Sequence, residues 1–151
     1  MFSTSCHYAL QAMIFIALRS VDSKNVDLST IAEELDIPKH FLSKILQILV
    51  KHKLLDSMKG PTGGFRLKKA PEDINLMQIV GVIDGLEVFS RCGIGFKECD
   101  DKNPCPIHFE FGQVREQVRD LFETKTLAQL TKDIESGNSL VSLGLPMKLK
   151  P

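Results

Sequence analysis

The hexapeptide Lys59-Gly60-Pro61-Thr62-Gly63-Gly64 constrains this chain more than any other stretch. Three glycines and a proline in six residues make a tight turn. Leu54-Leu55 precede it and Phe65-Arg66-Leu67 follow it, short apolar runs that predict two strands joined in a hairpin. Upstream, Phe41, Leu42, Ile45, Leu46 and Leu49 recur at helical spacing on one predicted face. His40, Ser43, Lys44, Gln47 and Lys51 fall on the other. Pro38 suits the first turn of that helix, which is expected to reach about His52. Asp36-Ile37-Pro38 separates it from a shorter helix whose apolar face is Ile31, Ala32 and Leu35. Ser29 or Thr30 is the expected cap there, with Glu33 at capping-box spacing from Thr30. Two short helices, a tight turn and a hairpin make the winged helix-turn-helix plan.

Charge points the same way. Net charge is zero, yet the segment from Lys39 to Lys69 carries eight Lys/Arg against one acid, Asp56, while Ala70 onward carries nine against thirteen. A basic block beside an acidic half implies a polyanionic partner for the former. Lysine reaches guanine acceptors or phosphate, glutamine pairs with adenine, and serine reaches either. Glycines in the turn let backbone approach a phosphate, and Lys59 suits a minor groove. The residues expected to contact double-stranded operator DNA are Ser3, Tyr8, Lys39, His40, Ser43, Lys44, Gln47, Lys59, Pro61, Thr62 and Gly63.

The remaining elements are helical. Ser3 or Thr4 caps a first helix carrying Tyr8, Ala9, Ala12, Met13, Ile16 and Ala17 to about Arg19. Val21 to Asp27 reads as a loop. Asn75, with Gln78 three residues on, opens a fourth helix through Leu76, Ile79, Val80 and Ile83, ending at Gly85. After Pro106 a longer helix runs to about Glu123, with Phe111, Val114, Val118, Leu121 and Phe122 as its stripe. Thr126 to Lys132 is a further short helix. A long amphipathic helix beyond a completed winged domain needs a partner surface, and a two-fold homodimer is the simplest. The expected architecture is therefore mainly α. A winged helix-turn-helix occupies 1–85, a cysteine-rich loop 86–108, the dimerisation helix and short following helix 109–134, and a Ser/Gly/Pro-rich tail 135–151.

The loop holds Cys92, Cys99, Cys105 and His108, spaced Cys-x6-Cys-x5-Cys-x2-His. Thiolate and imidazole donors suit zinc or an iron–sulfur cluster, and three Cys plus one His would close a tetrahedral zinc site. The same set suits a cluster with His in place of one Cys. No tight Cys-x2-Cys pair is present, and a loose Gly-containing loop suits the larger group. Four cysteines without a signal-peptide pattern are poor disulfide candidates, so a cytoplasmic setting is expected. No apolar run is long enough for a bilayer. A redox enzyme or electron carrier is disfavoured, because there is neither a nucleotide fingerprint nor a base–nucleophile pair. No small-molecule substrate is expected.

From Ser3 to about Lys132 the chain resembles the Rrf-two family of bacterial transcription regulators, of the IscR/NsrR type. The resemblance rests on Tyr8-Ala9-Leu10, Ile31-Ala32-Glu33, Phe41-Leu42-Ser43-Lys44-Ile45-Leu46, the wing from Lys59 to Phe65, Ile79 to Gly85, the three loop cysteines and Thr126-Leu127. It implies a homodimer that binds operator DNA and carries an iron–sulfur cluster (2Fe-2S or 4Fe-4S) on the cysteines, the cluster's state changing DNA affinity. The first two cysteines have six residues between them where the family has about five, and Lys59 replaces a common arginine. The family's cluster-biogenesis type takes its fourth ligand two residues past the third cysteine, at His108. Its nitric-oxide type takes it from the first helix of the other subunit, where this chain has His7, beside Cys6. Zinc without a sensing role is the alternative.

Overall fold

The computed structural model describes residues 1–20 and 24–137. Helix α1 (Thr4–Arg19) is capped by Ser3, whose hydroxyl accepts from the Cys6 N–H at 3.0 Å. It buries Ala9, Ala12, Met13, Phe15 and Ile16, and α3, α4, α6 and β2 pack against it.

Helix α2 (Leu28–Leu35) is capped by Asp27 and not by Ser29 or Thr30. The Asp27 carboxylate accepts from the Thr30 N–H at 3.0 Å and from the Thr30 hydroxyl at 2.6 Å, and these bonds hold its carboxyl below the usual value. The Thr30–Glu33 capping box therefore does not form, because Thr30 already lies inside the helix. Asp36 ends α2 in the left-handed region, φ 51°, where Asp is one of the few non-glycine residues at ease.

Helix α3 (Lys39–Lys51) starts at Pro38 and buries Leu42, Ile45, Leu46 and Leu49. Phe41 is not in that stripe. It stands 52% exposed, its ring 4.2 Å from that of His40. At 3.6 residues per turn it lies about 90° from the stripe's centre, on the flank.

Strands β1 (Leu55–Met58) and β2 (Gly64–Leu67) pair antiparallel, Leu55 opposite Leu67 and Met58 opposite Gly64. β1 takes only Leu55 of its predicted run and extends toward the turn, whereas β2 takes all of Phe65-Arg66-Leu67 and starts one residue earlier. Val26, expected in a loop, adds a single-residue third strand. It exchanges two 2.8 Å backbone bonds with Phe65. Asn25 Nδ2 donates to the Thr62 carbonyl at 3.1 Å and ties down the wing tip.

Helix α4 (Leu76–Ile83) opens with the Asn75–Gln78 capping box that the spacing predicts. Gly85, at φ 80°, turns the chain into a short 3₁₀ turn, Leu86–Phe89, which the sequence did not reveal and which buries Val88 and Phe89. Helix α5 (His108–Thr124) follows the loop. Helix α6 (Leu127–Glu135) is opened by a Thr126–Gln129 capping box. Leu76 N–H donates to the Lys125 carbonyl and Leu127 N–H to the Ile74 carbonyl, at 3.0 and 2.8 Å. This bridge inserts Leu127 into the core around α1, so α6 shares the winged domain's core. Among the described residues no helix is long and apolar enough to cross a membrane. The tail beyond Gly137 lies outside the described residues.

Gly64 sits at φ 141°, and a Cβ there would lie 2.4 Å from the Val26 carbonyl oxygen. Gly64→Ala is expected to lower the unfolding free energy by about 1–3 kcal/mol, since strained backbone costs that much. Urea denaturation checks it; an unchanged midpoint would mean that Val26 separates freely from the wing.

Candidate nucleic-acid interface and metal-binding loop

Lys39, His40, Lys44 and Gln47 are exposed on α3, with Ser43 half-buried beside them. This follows from the period of the helix, since burying 42, 45, 46 and 49 leaves 40, 44 and 47 outside. Lys39 Nζ donates to Ser29 Oγ at 2.7 Å, steadying α3 against α2. At the wing tip Lys59, Pro61 and Thr62 are exposed and Gly63 is half-buried. The turn is closed by Gly63 N–H donating to the Gly60 carbonyl at 2.9 Å, and a Cβ at Gly63 would collide with Met58 O. Ser3 and Tyr8 are placed differently. Ser3 donates its N–H to Asp84 Oδ2 at 2.8 Å and its hydroxyl to the other carboxylate oxygen. Tyr8 is half-buried against the main core.

The loop brings its four soft donors together as two pairs. Cys92 Sγ and Cys105 Sγ stand 3.7 Å apart, and Cys99 Sγ stands 3.4 Å from His108 Nδ1. Two thiolates on one tetrahedral metal are about 3.8 Å apart, and a thiolate and an imidazole nitrogen about 3.5 Å, given metal–ligand bonds of about 2.3 and 2.0 Å. Each pair thus has the spacing of two donors on one metal. Among the described residues no group of three or more Cys, His, Asp or Glu converges on a single metal position.

The surroundings favour the thiolate at Cys92 and oppose it at Cys105. The Ile94 N–H, with those of Phe96 and Gly95 and the Cys105 thiol, outweighs desolvation and holds Cys92 below its ordinary value. Desolvation pushes Cys105 up, reinforced by Cys92 and Cys99. Arg115 Nη1 donates to the Arg91 carbonyl at 3.0 Å and lies 3.5 Å from Cys99 Sγ. Its buried Nε–H has no partner among the described residues. Gly93 lets the Phe111 ring lie against the backbone, where a Cβ would come within 2.8 Å of it.

His108 is buried at the start of α5, and Asp101 Oδ1 lies 2.7 Å from its Nε2. Asp101 and Arg115 had escaped the sequence reading. Arg115 sits seven residues from His108, two helical turns along the same side, which is a signal. For Asp101 the sequence holds none. His7 lies exposed in the first turn of α1, edge-on to Phe2 at 6.4 Å. Cys6 is fully buried among Val80, Val88 and Phe89, a thiol in the core.

A basic helix outer face and an adjoining two-stranded wing make a winged helix-turn-helix of the DNA-binding kind. The Rrf2 family model, described as an iron-dependent transcriptional regulator, matches residues 2–133, and the chain belongs to that family. It is 31% identical over 131 residues to a putative HTH-type transcriptional regulator of Aquifex aeolicus, covering 85% of this chain and 90% of that one. It is 30% identical over 128 residues to the HTH-type transcriptional regulator IscR of Erwinia tasmaniensis, covering 85% and 76%. Among solved structures, T. potens IscR superposes with a TM-score of 0.72 at 27% identity, covering 92% and 91%. CymR, the global cysteine regulator of B. subtilis, does so at 0.73 and 24%, covering 87% and 96%, a likeness of fold.

Burial, with Asp84 close by, pushes the Cys6 thiol from 9.0 up to about 12. A thiol pKa raised by folding adds stability that is present below pH 9 and lost as pH climbs toward 12. In metal-free native protein at pH 8, iodoacetamide is expected to label Cys92, Cys99 and Cys105 and to spare Cys6 until urea is added. Peptide mass spectrometry reads this, and prompt labelling of Cys6 would contradict its place in the core.

Proposed function

We propose that the chain acts as a homodimeric regulator whose affinity for operator DNA is set by an iron–sulfur cluster held by Cys92, Cys99, Cys105 and His108. The observation that carries this reading is the two-by-two arrangement of the donors, Cys92 with Cys105 and Cys99 with His108. A single zinc ion needs all four donors on one centre. A four-iron cube takes one terminal ligand per iron, which sets the ligands further apart. Two pairs suit two metal ions side by side, and so favour a two-iron cluster over both. His108 is favoured over His7 as the fourth ligand because it is buried with Nδ1 beside Cys99, whereas His7 faces solvent.

When bound, such a cluster supplies a centre that oxidants, nitric oxide or iron shortage alter. The protein's own residues carry that change outward. Arg115 joins α5 to the loop at Arg91 and Cys99, and Phe111 rests on Gly93. Val114 and Leu121, two turns apart on one side of α5, are 52% and 48% exposed and offer an apolar face to a second copy. A shift of α5 against the loop then resets the separation of the two α3 helices, which a two-fold operator reads. The effector acts only through its differential affinity for the two arrangements. The DNA-contacting set is Lys39, His40, Ser43, Lys44 and Gln47 with the wing tip Lys59, Pro61, Thr62 and Gly63. Ser3 and Tyr8 join it at the margin of the first helix.

Lys44→Ala and Lys59→Ala are each expected to weaken operator binding and to reduce the slope of log K against log salt by about one unit, as for one lost phosphate contact. Fluorescence anisotropy across a salt series measures it, and unchanged slopes in both variants would remove α3 and the wing from the interface. Anaerobic reconstitution, followed by visible absorbance with iron and sulfide assays, is expected to show about two irons per chain. His108→Ala should change that spectrum while His7→Ala leaves it alone. A colourless protein with stoichiometric zinc would sink the cluster reading.

A further inference from the structure

Resting on the reading of His108 as a ligand, we propose that Asp101 is a positioning residue. It holds the His108 ring with its proton on Nε2 and so presents Nδ1, beside Cys99, as the metal-binding atom. The two ring nitrogens have different partners. Nε2 lies 2.7 Å from Asp101 Oδ1, and Nδ1 lies 3.4 Å from Cys99 Sγ. An ionised carboxylate can only accept, so the ring proton belongs on Nε2. A neutral imidazole then carries its lone pair on Nδ1. Burial sorts the two sides. The His108 side chain is 7% exposed and that of Asp101 87% exposed, so the carboxylate keeps its hydration while the lone pair looks inward to the sulfurs.

The local backbone makes this arrangement without help from Asp101. Asp100 forms the turn, its carboxylate accepting from the Lys102 N–H at 3.0 Å and its carbonyl from the Asn103 N–H at 3.1 Å. Asp101 is thereby released from turn-making and reaches the imidazole. His108 N–H donates to the Cys105 carbonyl at 3.0 Å, fixing the helix start to the third cysteine, and Phe109 meets the imidazole edge-on at 5.0 Å. Removing the Asp101 carboxylate therefore frees the ring's tautomer and leaves the chain path intact. The competing account is a plain ion pair, an imidazolium protonated at both nitrogens with no lone pair for a metal.

The test has two arms. In metal-free full-length protein at pH 8, long-range proton–nitrogen NMR reads the His108 tautomer. The Nε2–H form is expected in wild type, a mixture in Asp101→Ala, and a return toward wild type in Asp101→Asn, which keeps an acceptor. An Nδ1–H form or an imidazolium in wild type would overturn the proposal. In the second arm, cobalt(II) is titrated against a chelator. Asp101→Ala is expected to weaken cobalt(II) binding about 10- to 100-fold, as losing a histidine's outer partner does. Asp101→Asn should recover most of the loss, and Asp101→Ala should cost nothing more once His108 is alanine. An equal loss in the His108→Ala background would mean that Asp101 acts otherwise than through the ring, and the assignment falls. A wild-type protein that takes up no cobalt(II) overturns the ligand reading of the loop, while the NMR arm still decides the role of Asp101.

Discussion

The inward face of α1 is the surface on which α3, α4, α6 and β2 are laid. Ala9 and Ala12 let neighbouring helices approach closely, and Met13, Phe15 and Ile16 fill the space between them. Each of those three large side chains contributes about 1.5–3 kcal/mol by leaving water. The outer face of α3 and the wing are consequently attached to one rigid body. Neither the helix nor the hairpin would hold its shape alone, since short helices and lone hairpins are marginal in water.

A second, smaller core joins that body to the cysteine loop. Cys6 from α1, Val80 from α4, and Val88 and Phe89 from the 3₁₀ turn are buried together. Phe2, Phe89 and Phe122 stack around them, with ring centres 4.9 to 6.1 Å apart. Phe122 belongs to α5 and Phe89 precedes Cys92 by three residues. The start of the loop and the end of α5 thus press on the same aromatic group. At the other end of α5, Arg115 and Phe111 hold the loop directly. Between these anchors most of the loop is exposed, Ile94 and Phe96 included.

Much of this was legible in the chain. The capping box at Asn75 and Gln78 and the buried stripe of α3 each depend on residues within one helical turn, and both formed. Local chemistry misled where two candidates competed. Asp27 took the α2 cap from Thr30 because it accepts from both the N–H and the hydroxyl of Thr30. Phe41 was assigned inward on hydrophobicity, but its place on the helical flank leaves it over His40. Val26 looked like loop because a one-residue strand has no period.

By itself the sequence determined the winged helix-turn-helix, the basic face of α3, the turn at Gly60 to Gly64 and the types of donor in the loop. Those features are set by helical period, by glycine's backbone freedom and by the chemistry of single side chains. Only the tertiary structure decided how the donors pair, that Cys6 is a core thiol, and that Asp101 and Arg115 stand against His108 and Cys99. Distances between side chains seven to sixteen residues apart depend on how the loop folds back on α5. No local rule contains that path.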